Sequence, residues 1–163
     1  MHPRNPRIVE LLNDALTFEL RVMNTYFLNA RMLQGWGLPR LGQVFYDLSL
    51  EEMRDSDALV KRILLFEGRP RLTDFGPLEI GEDPQAILRI AVAGEYAAVA
   101  LFNDLARECR ALDDQATASL FEASAVEEER HADWFEAQLA AVEQVGLSAY
   151  LAAQVAAGPL DPP

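Results

Sequence analysis

The pair Glu128 and His131, inside the segment VEEERHADW (126–134), constrains this chain more than any other feature. Three residues apart, the two side chains point the same way on a helix. They also interrupt an apolar stripe. Helical steps from Glu128 reach Phe121 and Ala125 on one side, and Phe135, Leu139 and Val142 on the other. A carboxylate and an imidazole in a core stripe must be paired or bound to metal, because an isolated buried charge is too costly. A lone Glu-x-x-His is common by chance, but here the pattern repeats. Glu52 precedes Glu128 by 76 residues, Asp55 precedes His131 by 76, and Glu19 precedes Glu95 by 76. The separations Glu19–Glu52 and Glu95–Glu128 are both 33. Two helical hairpins therefore carry one acid pattern: a Glu, then a Glu with a second ligand type three residues on.

Helical periodicity and stop signals place helices at about 5–34, 39–67, 84–112, 114–145 and 149–157. Asn5-Pro6 reads as an N-cap followed by proline in the first turn, and Gly35-Trp36-Gly37 as the stop. The first helix carries the stripe Leu12, Leu16, Glu19, Met23, Tyr26, Ala30 and Leu33. Pro39 opens the second, with Phe45, Leu48, Glu52, Asp55, Leu59, Ile63 and Phe66 on one face, and it ends at Gly68 and Pro70. A second apolar face, Tyr46, Leu50, Met53, Val60 and Leu64, predicts two packing partners for this helix: the core and a neighbouring subunit. Asp83-Pro84 caps the third helix, whose stripe Leu88, Val92, Glu95, Val99, Phe102, Ala106 and Cys109 has its acid at the middle. Asp113 or Asp114 caps the fourth; Ser148 caps the short last one, which Gly158-Pro159 closes.

Links within each hairpin are short, whereas residues 69–82 hold two prolines, two glycines and no helical pattern. A long connection between two helix pairs predicts an all-α, ferritin-like four-helix bundle with one end-to-end crossover and a short fifth helix, forming a single domain over residues 1–163. The odd acids then converge at one level of the core. Four glutamates plus Asp55 in a low-dielectric interior would repel one another and take up protons. Two divalent ions remove the conflict: four positive charges balance Glu19, Glu52, Glu95 and Glu128, with neutral His131 as nitrogen donor. Such a donor set suits iron or manganese, with zinc also able to bind. Tyr26 lies two turns from Glu19 on the same stripe, as a core aromatic or as a group serving the metals.

The net charge of −12 argues against nonspecific affinity for nucleic acid or anionic membrane and suits a protein that attracts cations. The segment MHPRNPR has no apolar signal, and no run is expected to reach the length of a membrane span. One cysteine, Cys109, excludes an intrachain disulfide, fits a reducing cytoplasm and reads as a small buried hydrophobe.

These stretches resemble bacterioferritin: ELRVMNTYFLNARMLQGWGL (19–38), LEEMRDSDALVKRILLFEGRP (50–70), IGED (80–83) and EEERHADW (127–134). The resemblance covers essentially the whole chain. It implies a hollow cytoplasmic shell of 24 subunits, with b-type haem between paired subunits and Met53 as its axial ligand. Each subunit would oxidise Fe(II) with dioxygen or peroxide at an intrasubunit di-iron centre, and ferric mineral would collect inside. It further implies Glu19, Glu95 and His131 as terminal ligands, Glu52 and Glu128 as bridges, Asp55 completing one iron, and a small ferredoxin as reductant. Two positions depart from the family pattern. Asp55 stands where the family usually has histidine, and Asp47 where some members have one. An Asp oxygen lies as many bonds beyond Cβ as the nearer imidazole nitrogen, so Asp55 can still reach a metal held through that nitrogen. It also leaves the diferrous site with one extra negative charge. The alternative function is a haem-bearing structural or electron-transfer subunit with an impaired iron site, co-assembled with a second bacterioferritin subunit. A DNA-protecting mini-ferritin is disfavoured because its basic tail is missing.

Overall fold

The computed structural model describes residues 6–155. Five helices follow in order: α1 (Arg7–Gly35), α2 (Pro39–Leu65), α3 (Pro84–Ala111), α4 (Gln115–Val145) and α5 (Leu147–Gln154). No strand occurs among the described residues. α1 packs along α2 and α3 along α4, and the two hairpins meet through α1 and α3 and through side chains of α2 and α4. Gly42 lets the first hairpin close. A Cβ there would sit 2.9 Å from the Ala30 carbonyl oxygen, nearer than real Cβ contacts come.

The apolar interior is divided in two. One cluster joins Ile8, Leu12 and Leu16 of α1, Leu59 and Ile63 of α2, Phe102 and Cys109 of α3, and Phe121 of α4. The other joins Tyr26 and Leu33 of α1, Leu41 and Phe45 of α2, Ile87 and Leu88 of α3, Phe135 of α4 and Tyr150 of α5. Phe45, Phe102, Phe121 and Phe135 are fully buried, each contributing about 1.5–3 kcal/mol. The first half of α1 thus meets the second halves of α2 and α3. α2 and α3 run the same way, so residues 66–83 must return along the bundle. Asn13 of α1 anchors that crossover, donating to the Arg69 carbonyl (3.2 Å) and accepting from the Arg71 N–H (2.7 Å). The ferritin-like bundle with its long crossover and short fifth helix is the fold observed.

The starts of α2 and α3 and the end of α4 fall where expected, and the other helix ends differ by one to three residues. Pro6 occupies the N-cap position of α1, and Asn5 lies outside the described residues. α2 stops at Leu65 because Glu67 takes φ 59°. Asp83 caps α3 through the Ala86 N–H (2.8 Å), and of the two aspartates offered for α4 the cap is Asp114, which accepts from the Thr117 N–H (3.1 Å). Ser148 does not cap α5; Gly146, at φ 81°, turns the chain so that the helix starts two residues earlier, at Leu147. Ala157, Gly158 and Pro159 lie outside the described residues. The expectation that no segment is long and apolar enough to cross a membrane is also corrected. α3 meets that test by length and composition, because alanine and valine separate its larger apolar residues. It runs against α4 here, and carries Glu95 at its middle.

The second face of α2 is only partly covered among the described residues. Tyr46, Leu50 and Val60 are half-buried, while Met53 is 51% and Leu64 56% exposed. Phe27 of α1 extends this surface, its ring 6.5 Å from that of Tyr46.

Candidate metal centre

Between the two apolar clusters lies one polar layer, to which each long helix contributes a glutamate. Glu19, Glu52 and Glu95 are each 1% exposed, and Glu128 is 3% exposed. Each occupies the inward stripe of its helix near mid-length, where burial is dictated by the apolar residues one turn above and below. Such groups are almost never fully buried without partners. Yet the carboxyl oxygens of Glu19 and of Glu52 meet no N–H or hydroxyl donor, and the two acids face each other.

His131 closes the layer. Its Nδ1 lies 3.2 Å from Oε2 of Glu128, 3.8 Å from Oε1 of Glu52 and 3.9 Å from Oε1 of Glu95. One donor atom each from Glu52, Glu128 and His131 falls within 4.8 Å of the others, close enough for one ion to touch all three. Across the layer the Tyr26 hydroxyl donates to Oε1 of Glu95. Tyr26 itself packs edge-on against Phe45, with ring centroids 5.4 Å apart.

Burial and mutual repulsion hold protons on these acids. Burial, with the charges of Glu128, Asp55 and Glu95, lifts the Glu19 carboxyl well above the ordinary carboxylate range. Burial, Glu19 and Glu128 do the same to Glu52. Burial and Glu128 push Glu95 up to about 11, against the Tyr26 hydrogen bond. The Tyr26 phenol is raised by burial and by Glu95. For His131, burial favours the neutral ring, but Glu128 and Glu51 outweigh it and its pKa is raised. Such a layer is unfavourable as bare carboxylates and is relieved by divalent cations. The orphaned oxygens, the buried carboxylates and the single imidazole fit a site for such ions.

The sequence-selected residues divide by place. Glu52, Glu128 and His131 come together, with Glu95 beside them and Glu19 buried in the same layer. Asp55 stands at the edge, half-buried, its carboxyl pushed up to about 6 by burial, Glu127 and Glu128. Met53, although next to Glu52, lies on the opposite, outward face of α2. Asp47 is exposed on α2 and accepts from Gln43 (2.8 Å). One residue escaped the sequence reading: Glu51, whose Oε2 lies 3.2 Å from Nε2 of His131. Its position is a solvent-facing one on the helical wheel. The signal that points to it is the internal repeat, since Glu51 and Glu127 are themselves 76 residues apart.

Residues 9–145 match the Ferritin-like domain family. Over 156 residues the chain is 38% identical to a bacterioferritin of Brucella melitensis, covering 96% of each protein. It is 33% identical over 155 residues to a bacterioferritin of Rhodobacter capsulatus, covering 95% of each. It is 34% identical over 155 residues to a bacterioferritin of Mycobacterium avium, covering 95% of this chain and 98% of that one.

Proposed function

We propose, from the premise that this chain belongs to the bacterioferritins of the ferritin-like family, that it takes up Fe(II), oxidises it within each subunit and stores the ferric product. The observation that supports this reading is the layer of four buried glutamates with orphaned oxygens, closed by one imidazole. Glu52 and Glu128 would bridge two iron ions, with Glu19 and Asp55 on one and Glu95 and His131 on the other.

Iron here is substrate. Each Fe(II) gives up one electron, and with hydrogen peroxide as oxidant two electrons and two protons yield two waters. The chain's own contribution is electrostatic and positional. Protons held by Glu19, Glu52 and Glu95 leave when the cations enter, so most of the entering positive charge replaces protons. Once ionised, the surrounding carboxylates favour Fe(III) over Fe(II), which lowers the barrier to electron loss. Tyr26 holds Glu95 in orientation through its hydroxyl.

The solvent-facing thioether of Met53, on an apolar surface with Tyr46 and Phe27, suits a residue that would hold haem iron between two copies of the chain. Haem there would supply a route for electrons. The shell of 24 such subunits, its cytoplasmic location and a ferredoxin-type reductant belong to this same proposal.

The placement of Asp55 favours a second reading. Asp55 is half-buried at the edge of the layer, less enclosed than the four glutamates, which suits a haem-bearing subunit whose iron chemistry is supplied by a partner subunit. Stopped-flow mixing of iron-free protein with Fe(II) in air separates the two. A fast ferric phase that saturates at two irons per subunit and is blocked by prior zinc is the expected result. One slow, zinc-insensitive phase would transfer the assignment to the second reading.

A further inference from the structure

His131 has an acidic neighbour on each side. Nδ1 faces the buried layer, 3.2 Å from Glu128. Nε2 faces away and meets Oε2 of Glu51 at 3.2 Å, a carboxylate on α2 whose side chain is half exposed. An imidazole that binds metal through one nitrogen keeps its remaining proton on the other, and the partner of that N–H fixes both tautomer and ring plane. We infer that Glu51 is the positioning residue of the centre: by accepting the Nε2–H of His131 it leaves Nδ1 as the nitrogen that turns to the metal. The inference rests on the reading of the layer as a metal centre. Glu51 would not touch the metal, because the ring lies between them.

The internal repeat supports the assignment independently. Glu127 is the equivalent of Glu51 in the other hairpin, and Asp55 the equivalent of His131. Of all charged groups, Glu127 acts most strongly on Asp55. The repeat thus carries a carboxylate directly before each of Glu52 and Glu128. In one hairpin it lies beside the imidazole Nε2. In the other its charge acts on an aspartate, which has no N–H to offer.

Zinc serves as the probe, followed by isothermal titration and by solid-state nitrogen-15 NMR of histidine-labelled, sedimented protein. The chain has two histidines, and His2→Ala leaves the signals of His131 alone. In the zinc-loaded native protein, His131 is expected to show a metal-bound Nδ1 and a protonated, strongly hydrogen-bonded Nε2. Glu51→Ala should weaken zinc binding about tenfold or more and shift the Nε2 resonance. Glu51→Gln, whose amide oxygen still accepts from Nε2–H, should remain close to native in both readouts. An alanine variant with native affinity and an unmoved Nε2 signal would overturn the inference, as would a glutamine variant as impaired as alanine. Failure of the native protein to bind zinc would instead overturn the metal centre itself, and it is seen in the native titration before any variant is compared.

Discussion

The Tyr26 hydroxyl on α1 donates to Oε1 of Glu95 on α3, so that a phenol from one hairpin anchors a carboxylate of the other. Removing that oxygen tests what the contact does. Tyr26→Phe should lower stability by about 1 kcal/mol, seen as a drop in Tm of roughly 2–4 °C. Zinc affinity should change little, because Glu95 remains, whereas the fast phase of iron oxidation should slow several-fold. An unchanged oxidation rate would confine Tyr26 to packing.

Metal-free protein should lose stability as pH rises. The folded pKa values of Glu19, Glu52 and Glu95 lie above their unfolded values, so the native state holds more protons than the unfolded chain over that interval. His131, also raised, acts in the same direction. Their contribution is complete below the ordinary carboxylate range and declines steadily towards about 11, where Glu95 titrates. Thermal melts should show Tm falling by roughly 5 °C or more between pH 6 and 9, about 2 kcal/mol for a chain of this size. Zinc should remove most of that slope. A flat pH profile of the metal-free protein would show that these groups are not held protonated.

Glu19→Gln keeps the shape of the side chain and removes its acid. At pH 8 the native metal-free protein must hold a proton on Glu19 against its unfolded preference, and the glutamine need not. The variant should therefore melt higher than native at pH 8 and equal to it near pH 5, while losing most of the stabilisation by zinc. A variant that melts lower at pH 8 would mean that Glu19 is satisfied in a way the structure does not show.

Asp55→His measures the departure directly. With Asp55 as a working ligand, both proteins should saturate at two Fe(II) per subunit with oxidation rates less than tenfold apart. A rise of tenfold or more in the variant, equivalent to about 1.4 kcal/mol in the barrier, would mark the native site as impaired.

Met53 offers a test on the other side of α2. Because it is 51% exposed, Met53→Leu should leave stability within about 0.5 kcal/mol of native. It should also abolish the haem absorbance of protein reconstituted with haem. Retained absorbance with an unchanged spectrum would exclude Met53 as the axial ligand.

The buried layer was legible in the sequence because helices turn spacing into direction. Four acids on four apolar stripes at matching heights can only meet inside a bundle, and the apolar residues around Glu19, Glu52, Glu95 and Glu128 determined which way they face. The long crossover followed from proline and glycine where periodicity stops. Glu51 escaped because a glutamate on the solvent side of a helix looks like every other surface charge; only the packing of α2 against α4 brings it to His131. The start of α5 escaped because Ser148 is a good cap by residue type, while the positive φ of Gly146 had already set the turn. The apolar length of α3 escaped because alanine-rich stretches register poorly as hydrophobic runs.

The division of the interior into two apolar clusters gives this bundle an unusual mechanics. In most helical proteins the ends fray first and the middle holds. Here the midsection is where buried acids replace apolar contacts, so the empty protein has a built-in seam across its waist, clasped above and below by aromatic packing. Cargo entering that seam acts as a rivet. Amide exchange should therefore slow at the centre of the helices on loading while their ends change little, and the filled or empty state of each subunit becomes readable as stiffness.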